Sequence, residues 1–212
     1  MNEFTNPGLN TTASTLQEAR QQHSEHLRQS VVQVAASLLR EYGPEAVTVR
    51  RVAERMECST KIIYSLFNRK EGLAKELYLE GCRILGREFE ATALTGIPEA
   101  DLQRLAQAYW RFGQEHASFY QVMFGGAFAE FKPDEISMQG MTTAWSQVTA
   151  LIASADLDEN SPEWTARLIW AALHGVIHLH LAGQLGSGEE AAMLYDRTVA
   201  MIVHSLFDKR RN

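Results

Sequence analysis

Three histidines, His174, His178 and His180, have the side-chain type and spacing that most directly invite chemistry. His174 and His178 stand four residues apart, one helical turn, a separation at which two imidazoles can share a zinc ion. Zinc needs at least a third protein ligand. His180 lies two residues further on and points off that face, and no Cys, Asp or Glu close by completes the set. The expectation is therefore no metal and no cofactor. His174 could act as a general base only beside a partner, and the chain offers no nucleophile elbow, phosphate loop or paired-carboxylate context. A non-enzymatic protein is expected, with a helical, enzyme-like binding protein as an alternative. The two cysteines cannot build a disulfide framework. With no apolar leader in the polar stretch from Met1 to Gln22, they favour a reducing, cytoplasmic setting. Cys58 has a second reading as a redox-responsive thiol, against the plainer one of a small buried apolar residue.

A different chemistry is written into residues 48–73. Thr60, Lys61 and Tyr64 are small, basic or hydroxyl-bearing, and they crowd the start of a short helical pattern whose other face is Ile63, Leu66 and Phe67. A helix that pins its apolar back and presents such an N-terminal half can enter the DNA major groove and meet base edges. The net charge of −6 opposes nucleic-acid binding, but its distribution does not. Residues 24–75 carry nine Lys/Arg and six Asp/Glu, and residues 76–212 carry ten and eighteen. A basic front and an acidic rear suit a protein that turns one end toward phosphates.

The elements that must position these residues follow from apolar periodicity and its interruptions. Residues 1–23 read as a disordered arm or a helix extension, with Thr15 and Glu18 as a possible capping box. Val31, Val34, Ala35, Leu38, Leu39 and Tyr42 form one helical stripe, stopped by Gly43-Pro44. Thr48 caps a second helix that buries Val49, Val52, Ala53 and Met56; Glu57-Cys58 turns the chain; Ser59 caps the third. Asn68 and Glu71 form another capping box, opening a long helix through Leu73, Leu77, Tyr78, Cys82, Leu85 and Phe89. Beyond a linker at 95–98, helices are expected near 99–117, 118–125, 134–154, 162–183 and 188–207. No stretch alternates with period two, so the fold expected is all-α. It comprises a three-helix DNA-binding domain over 24–75 and a helical ligand-binding and dimerisation domain over 76–212. The stretch 168–188 has no Asp, Glu, Lys or Arg, but its histidines, Gln184 and glycine-rich end make it a poor membrane span, so no membrane partner is expected.

The string Thr48-Val49-Arg50, Val52-Ala53, Ser59, Ile63-Tyr64, Phe67 and Lys70-Glu71-Gly72-Leu73, preceded by a helix ending in Tyr42-Gly43, resembles the TetR family of repressors. The resemblance implies a helix-turn-helix in which Thr48, Arg50, Ser59, Thr60, Lys61, Tyr64 and Lys70 form the DNA-binding set, with Tyr64 against phosphate or a base and Lys70 against phosphate. Lys70 also makes independent sense, since the first turn of a helix attracts phosphate. Glu57 departs from the pattern, standing where the family often has glycine; Cys58 stands where a small aliphatic is common, and Ile62 where a small or polar residue is usual. Trp170-Ala-Ala-Leu-His174-Gly175, with His116-Ala-Ser-Phe-Tyr-Gln-Val-Met-Phe, looks like the Trp-His-Gly type of TetR C-terminal domain.

That resemblance implies a homodimeric repressor bound to double-stranded DNA at a palindromic operator and released by a small-molecule inducer. The candidates for a mostly apolar inducer are Trp110, Phe112, Tyr120, Met123, Phe124, Met141, Trp145 and His174. Aromatics at helical spacing are also ordinary core. The small-residue stripe Leu168, Ala171, Ala172, Gly175, Leu179 and Ala182, with Leu194, Val199, Ile202, Val203 and Leu206, is the expected dimer face.

Overall fold

The computed structural model describes residues 16–67, 70–128, 131–155 and 161–207, the side chains of Gln17 and Lys70 excepted. All its regular elements among these residues are helical: α1 (Leu16–Tyr42), α2 (Val49–Arg55), α3 (Thr60–Phe67), α4 (Lys70–Glu90), α5 (Pro98–Glu115), α6 (Ala117–Phe124), α7 (Glu135–Ala144), α8 (Ser146–Ala155), α9 (Pro162–Leu181) and α10 (Gly188–Phe207), plus a 3₁₀ turn at Pro44–Ala46. Thr15 and Asn68, each half of an expected capping box, lie outside the described residues.

α1 buries Val31, Val32, Ala35, Ala36, Leu38 and Leu39, while Tyr42, read as part of its stripe, stands exposed beneath the Arg51 guanidinium at 5.4 Å. The helix stops because Gly43 takes φ 78° and donates its amide to the Leu39 carbonyl (3.0 Å), and Pro44 cannot continue the ladder. Thr48 caps α2 as read, its hydroxyl oxygen accepting from the Arg51 amide (3.2 Å). The α2–α3 turn passes through Glu57 at φ 52°, the one non-glycine residue in the left-handed region among those described. Glutamate in a place that favours glycine costs about 1 kcal/mol.

α4 joins the two halves. Its first turns pack on α1 and α3, and it also packs on α5, α6 and α7, so a boundary drawn at 75/76 falls within one continuous helix. The α4–α5 connection is held by a buried carboxylate. Asp101 accepts from the Thr95 amide (2.6 Å), the Thr95 hydroxyl (2.7 Å) and the Gly96 amide (2.9 Å), while Arg104 donates to the Ala93 carbonyl (2.8 Å).

The segment read as one helix over 134–154 is two. At Trp145 the backbone leaves the helical region (φ −90°, ψ 2°), and its amide is shared between the Met141 and Thr143 carbonyls. The break accompanies burial of the indole, which meets Phe89 at 5.4 Å and Tyr109 at 5.2 Å, both edge-on. No helix among the described residues is long and apolar enough to cross a membrane.

Candidate nucleic-acid interface and candidate ligand site

The candidate recognition surface is the outer side of a small core. Ile63 and Phe67 bury completely or nearly so, under α1, α2 and α4, and the high amphipathicity of α3 leaves its other face in water. Ser59, Thr60 and Lys61 are exposed, and Tyr64 keeps 51% of its surface accessible. Ile62 is exposed beside them, a methyl-rich surface suited to a thymine methyl group. Of the seven DNA-site candidates, Ser59, Thr60, Lys61 and Tyr64 come together on this face. Thr48 is half-buried, with its hydroxyl engaged in the α2 cap, leaving it a helix-capping role in the free protein. Arg50 is exposed but paired with Glu54 (2.8 Å), which raises its already high pKa. At that exposure the pair is screened and exchangeable for a phosphate. Lys70 opens α4; its side chain lies outside the described residues. Cys58 is half-buried and packs against the core, its amide donating to the Ala53 carbonyl (3.0 Å).

In the C-terminal half, Phe112, Tyr120, Phe124, Trp145 and His174 do assemble into one aromatic cluster. Two residues outside the candidate set complete it. The Trp170 Nε1–H donates to the Tyr109 hydroxyl (3.1 Å), and the Tyr109 oxygen lies 3.3 Å from His174 Nδ1. Trp170 stands one helical turn before His174, and that spacing is the sequence signal that could have included it. The Tyr120 hydroxyl is hydrogen-bonded with His174 Nδ1 at 2.6 Å and also donates to the His174 carbonyl (3.3 Å). Burial, reinforced by nearby His178, lowers the His174 pKa from 6.5 to about 4, so the ring is neutral at physiological pH. Burial pushes Tyr109 and Tyr120 upward, and both remain protonated. The Trp145 Nε1–H is buried with no hydrogen-bond acceptor among the described residues. The cluster offers neutral donors and acceptors within apolar walls.

The other ligand candidates lie elsewhere. Trp110 stacks on His180 (5.4 Å) and is tilted against Tyr195 (4.7 Å), on the α10 side. Met123 is buried on α6 against Gly81 of α4, and Met141 is buried on α7. His174 and His178 stack at 5.6 Å, while His180 turns toward Gln114 (3.2 Å). No group of three or more potential metal ligands exists among the described residues.

The expected dimer face divides. Leu168, Ala171, Ala172, Leu179 and Ala182 are exposed or partly exposed on α9 and at its end, Gly175 faces open space, and Leu194 is exposed on α10. Val199 is not part of that surface: at 5% exposure it packs into the chain's own core, because α10 is apolar on two sides and Val199 falls on the inner one with Ala191 and Tyr195. Ile202, Val203 and Leu206 are half-buried against the core.

The neutral His174 has a pH signature. The unfolded chain takes up a proton near 6.5 and the folded chain only near 4, so the unfolded state gains protons first as pH falls. Melting temperature is expected to drop between about pH 6.5 and about pH 4, and to drop less steeply in His174→Gln. Thermal scans across that range check it; identical slopes for the two proteins would contradict it.

The fold is that of an all-helical DNA-binding regulator, a helix-turn-helix head on a larger helical body. The family model for bacterial regulatory proteins of the tetR family matches residues 31–77, and that for the tetracyclin repressor-like C-terminal domain matches residues 102–202. The chain belongs to the TetR family of transcriptional regulators, whose members are DNA-binding proteins and not enzymes. A search of curated proteins finds no match. Among solved structures it is similar to a regulatory protein designated SCO4313 (TM-score 0.67, 22% identity, covering 86% of this chain and 98% of the other). It is similar also to the TetR family transcriptional regulator PfmR from Thermus thermophilus (0.59, 19%, 82% and 97%). A third is the Streptomyces coelicolor TetR family protein ActR, solved in complex with (S)-DNPA (0.60, 13%, 86% and 97%).

Proposed function

We propose that this chain is a dimeric, cytoplasmic repressor that holds a palindromic operator and releases it when a small, mostly apolar molecule enters the aromatic heart of the C-terminal half. The observation that carries the DNA reading is the outward presentation of Thr60, Lys61 and Tyr64 from a helix anchored by Ile63 and Phe67. Dimerisation through α9 and α10 is supported by the unpartnered apolar residues there, among them Leu168 at 53% and Met201 at 62% exposure. Two heads related by a two-fold axis would read half-sites about one helical turn apart or slightly more. The Tyr109–Tyr120–His174–Trp170 network and the lone Trp145 N–H support a ligand that is uncharged and carries few polar atoms. No observation of the Cys58 surroundings favours the thiol-responsive alternative.

Selection of bound duplexes from a randomised pool tests this reading. Against the recovered sequence, Lys61→Ala and Tyr64→Ala are each expected to lose about 1–3 kcal/mol of binding, from about fivefold to about 150-fold, with self-association intact. Affinity that does not change between low and high salt would remove the case for phosphate contacts.

A further inference from the structure

We propose that Arg28, on α1, is a positioning residue for the recognition helix: one guanidinium that ties the end of α3 to α4 and so fixes the angle at which Thr60, Lys61 and Tyr64 leave the surface. Its Nη1 donates to the Leu66 carbonyl in the last turn of α3. Its Nη2 donates to Glu76 Oε1 on α4 at 2.6 Å, and the cation lies over the Phe67 ring, 4.7 Å from the centroid.

Each contact has a separate physical purpose. The last carbonyls of a helix lack partners within it, and a cation there also meets the negative end of the helix dipole. Phe67 is one of the two buried anchors of α3, so the same group caps the helix and covers its anchor. Glu76 holds the cation from a third element, and both side chains are partly shielded from water, at 33% and 18% exposure. A planar fork reaches a carbonyl, a carboxylate and an aromatic face together; a lysine, with one point of charge, does not.

The clasp also has a neighbour on the sensor side. Lys75, the residue before Glu76, bonds Asp134 (2.5 Å), whose carboxylate caps α7 by accepting from the Ser137 amide (2.9 Å). One short segment of α4 therefore holds the end of α3 through residue 76 and the start of α7 through residue 75. The inference rests on the DNA-reading role of α3.

Two measurements on the full-length chain test it, using Arg28→Lys and Glu76→Gln, neither of which alters the proposed DNA-contacting residues. In hydrogen exchange without DNA, α3 amides are expected to exchange about tenfold faster in Arg28→Lys, while α9 amides keep the parent rate. Unchanged α3 exchange overturns the proposal. In binding, both variants are expected to retain the parent's affinity for random duplex and its salt slope, yet lose about tenfold of the preference for the duplex selected by the parent. An undiminished preference overturns the clasp, and so does a shallower salt slope, which would make Arg28 a direct phosphate contact. Should Arg28→Lys fail to fold, Glu76→Gln carries both readouts: it removes the charge that holds the guanidinium to α4, so the same faster α3 exchange and lost preference are expected, and their absence overturns the clasp. A parent that shows no preference among duplexes would instead sink the DNA reading, and the exchange measurement would still decide the clasp.

Discussion

Replacing Gly72 with alanine is expected to weaken sequence-selective DNA binding by more than about a hundredfold while leaving the C-terminal half folded. Gly72 lies in the first turn of α4, where the chain has just left α3. A Cβ built there would stand 2.0 Å from the Phe67 carbonyl oxygen and 3.0 Å from its carbon. These are backbone atoms, so no rotamer change relieves the overlap; α3 and α4 must move apart. Overpacking of this kind costs about 1–3 kcal/mol, and a backbone clash belongs at the upper end. The displaced element is the one that carries Thr60, Lys61 and Tyr64. A loss of about 3 kcal/mol of binding corresponds to more than about a hundredfold in affinity. Gel-shift titration with the selected duplex and circular dichroism of the variant measure the two halves of this expectation. Undiminished binding would show that the α3–α4 turn tolerates a side chain.

The second large effect is expected at Phe112. Fully buried, its ring stacks 6.5 Å from Tyr109, tilts 6.5 Å from Tyr120 and lies 5.7 Å from His116. Truncating a phenylalanine in such a place costs about 3–5 kcal/mol through lost burial and the cavity left behind. For a chain of 212 residues this lowers the melting temperature by about 10 °C. The same substitution separates two readings of the aromatic cluster. If Phe112 is core, Phe112→Ala melts early. If Phe112 instead borders a cavity that ligand fills, stability stays close to the parent's and only the response to ligand moves.

The head is legible in the sequence because its signals are local. Thr48 caps α2 through a bond three residues away, Gly43 ends α1 through one four residues away, and the polar face of α3 needs no distant partner to be seen. The break at Trp145 is not, since no Gly or Pro adjoins it, and the indole's partners Phe89 and Tyr109 stand far from it in the chain. Val199 falls on the side opposite to expectation because α10 has apolar residues on both faces, and periodicity does not say which face the chain itself covers. The aromatic cluster is half legible. Tyr120 and His174 stand out by type, but their hydrogen bond spans 54 residues, and the part of Tyr109 in it follows only from helix packing. Arg28 gives no signal at all: its partners Leu66 and Glu76 lie 38 and 48 residues ahead, and from sequence it is one arginine among the charges of α1.

The carboxylate of Asp101 has a mechanical meaning. With Thr95, Gly96 and Ala93 each tied by a side chain of α5, the strap just beyond the far end of α4 has little slack. α4 has 21 residues and is thus about 30 Å long, so a tilt of about 5° around that end carries the Lys70 end through about 3 Å. On the function proposed above, α4 is the arm between the ligand site and the DNA-reading head, and its head end is steadied by the Lys75–Asp134 and Arg28–Glu76 ties. Under that same proposal, a rearrangement among the aromatic rings near Phe89 that tilted the helix this far would move its Lys70 end by a distance comparable to the spacing of successive base pairs.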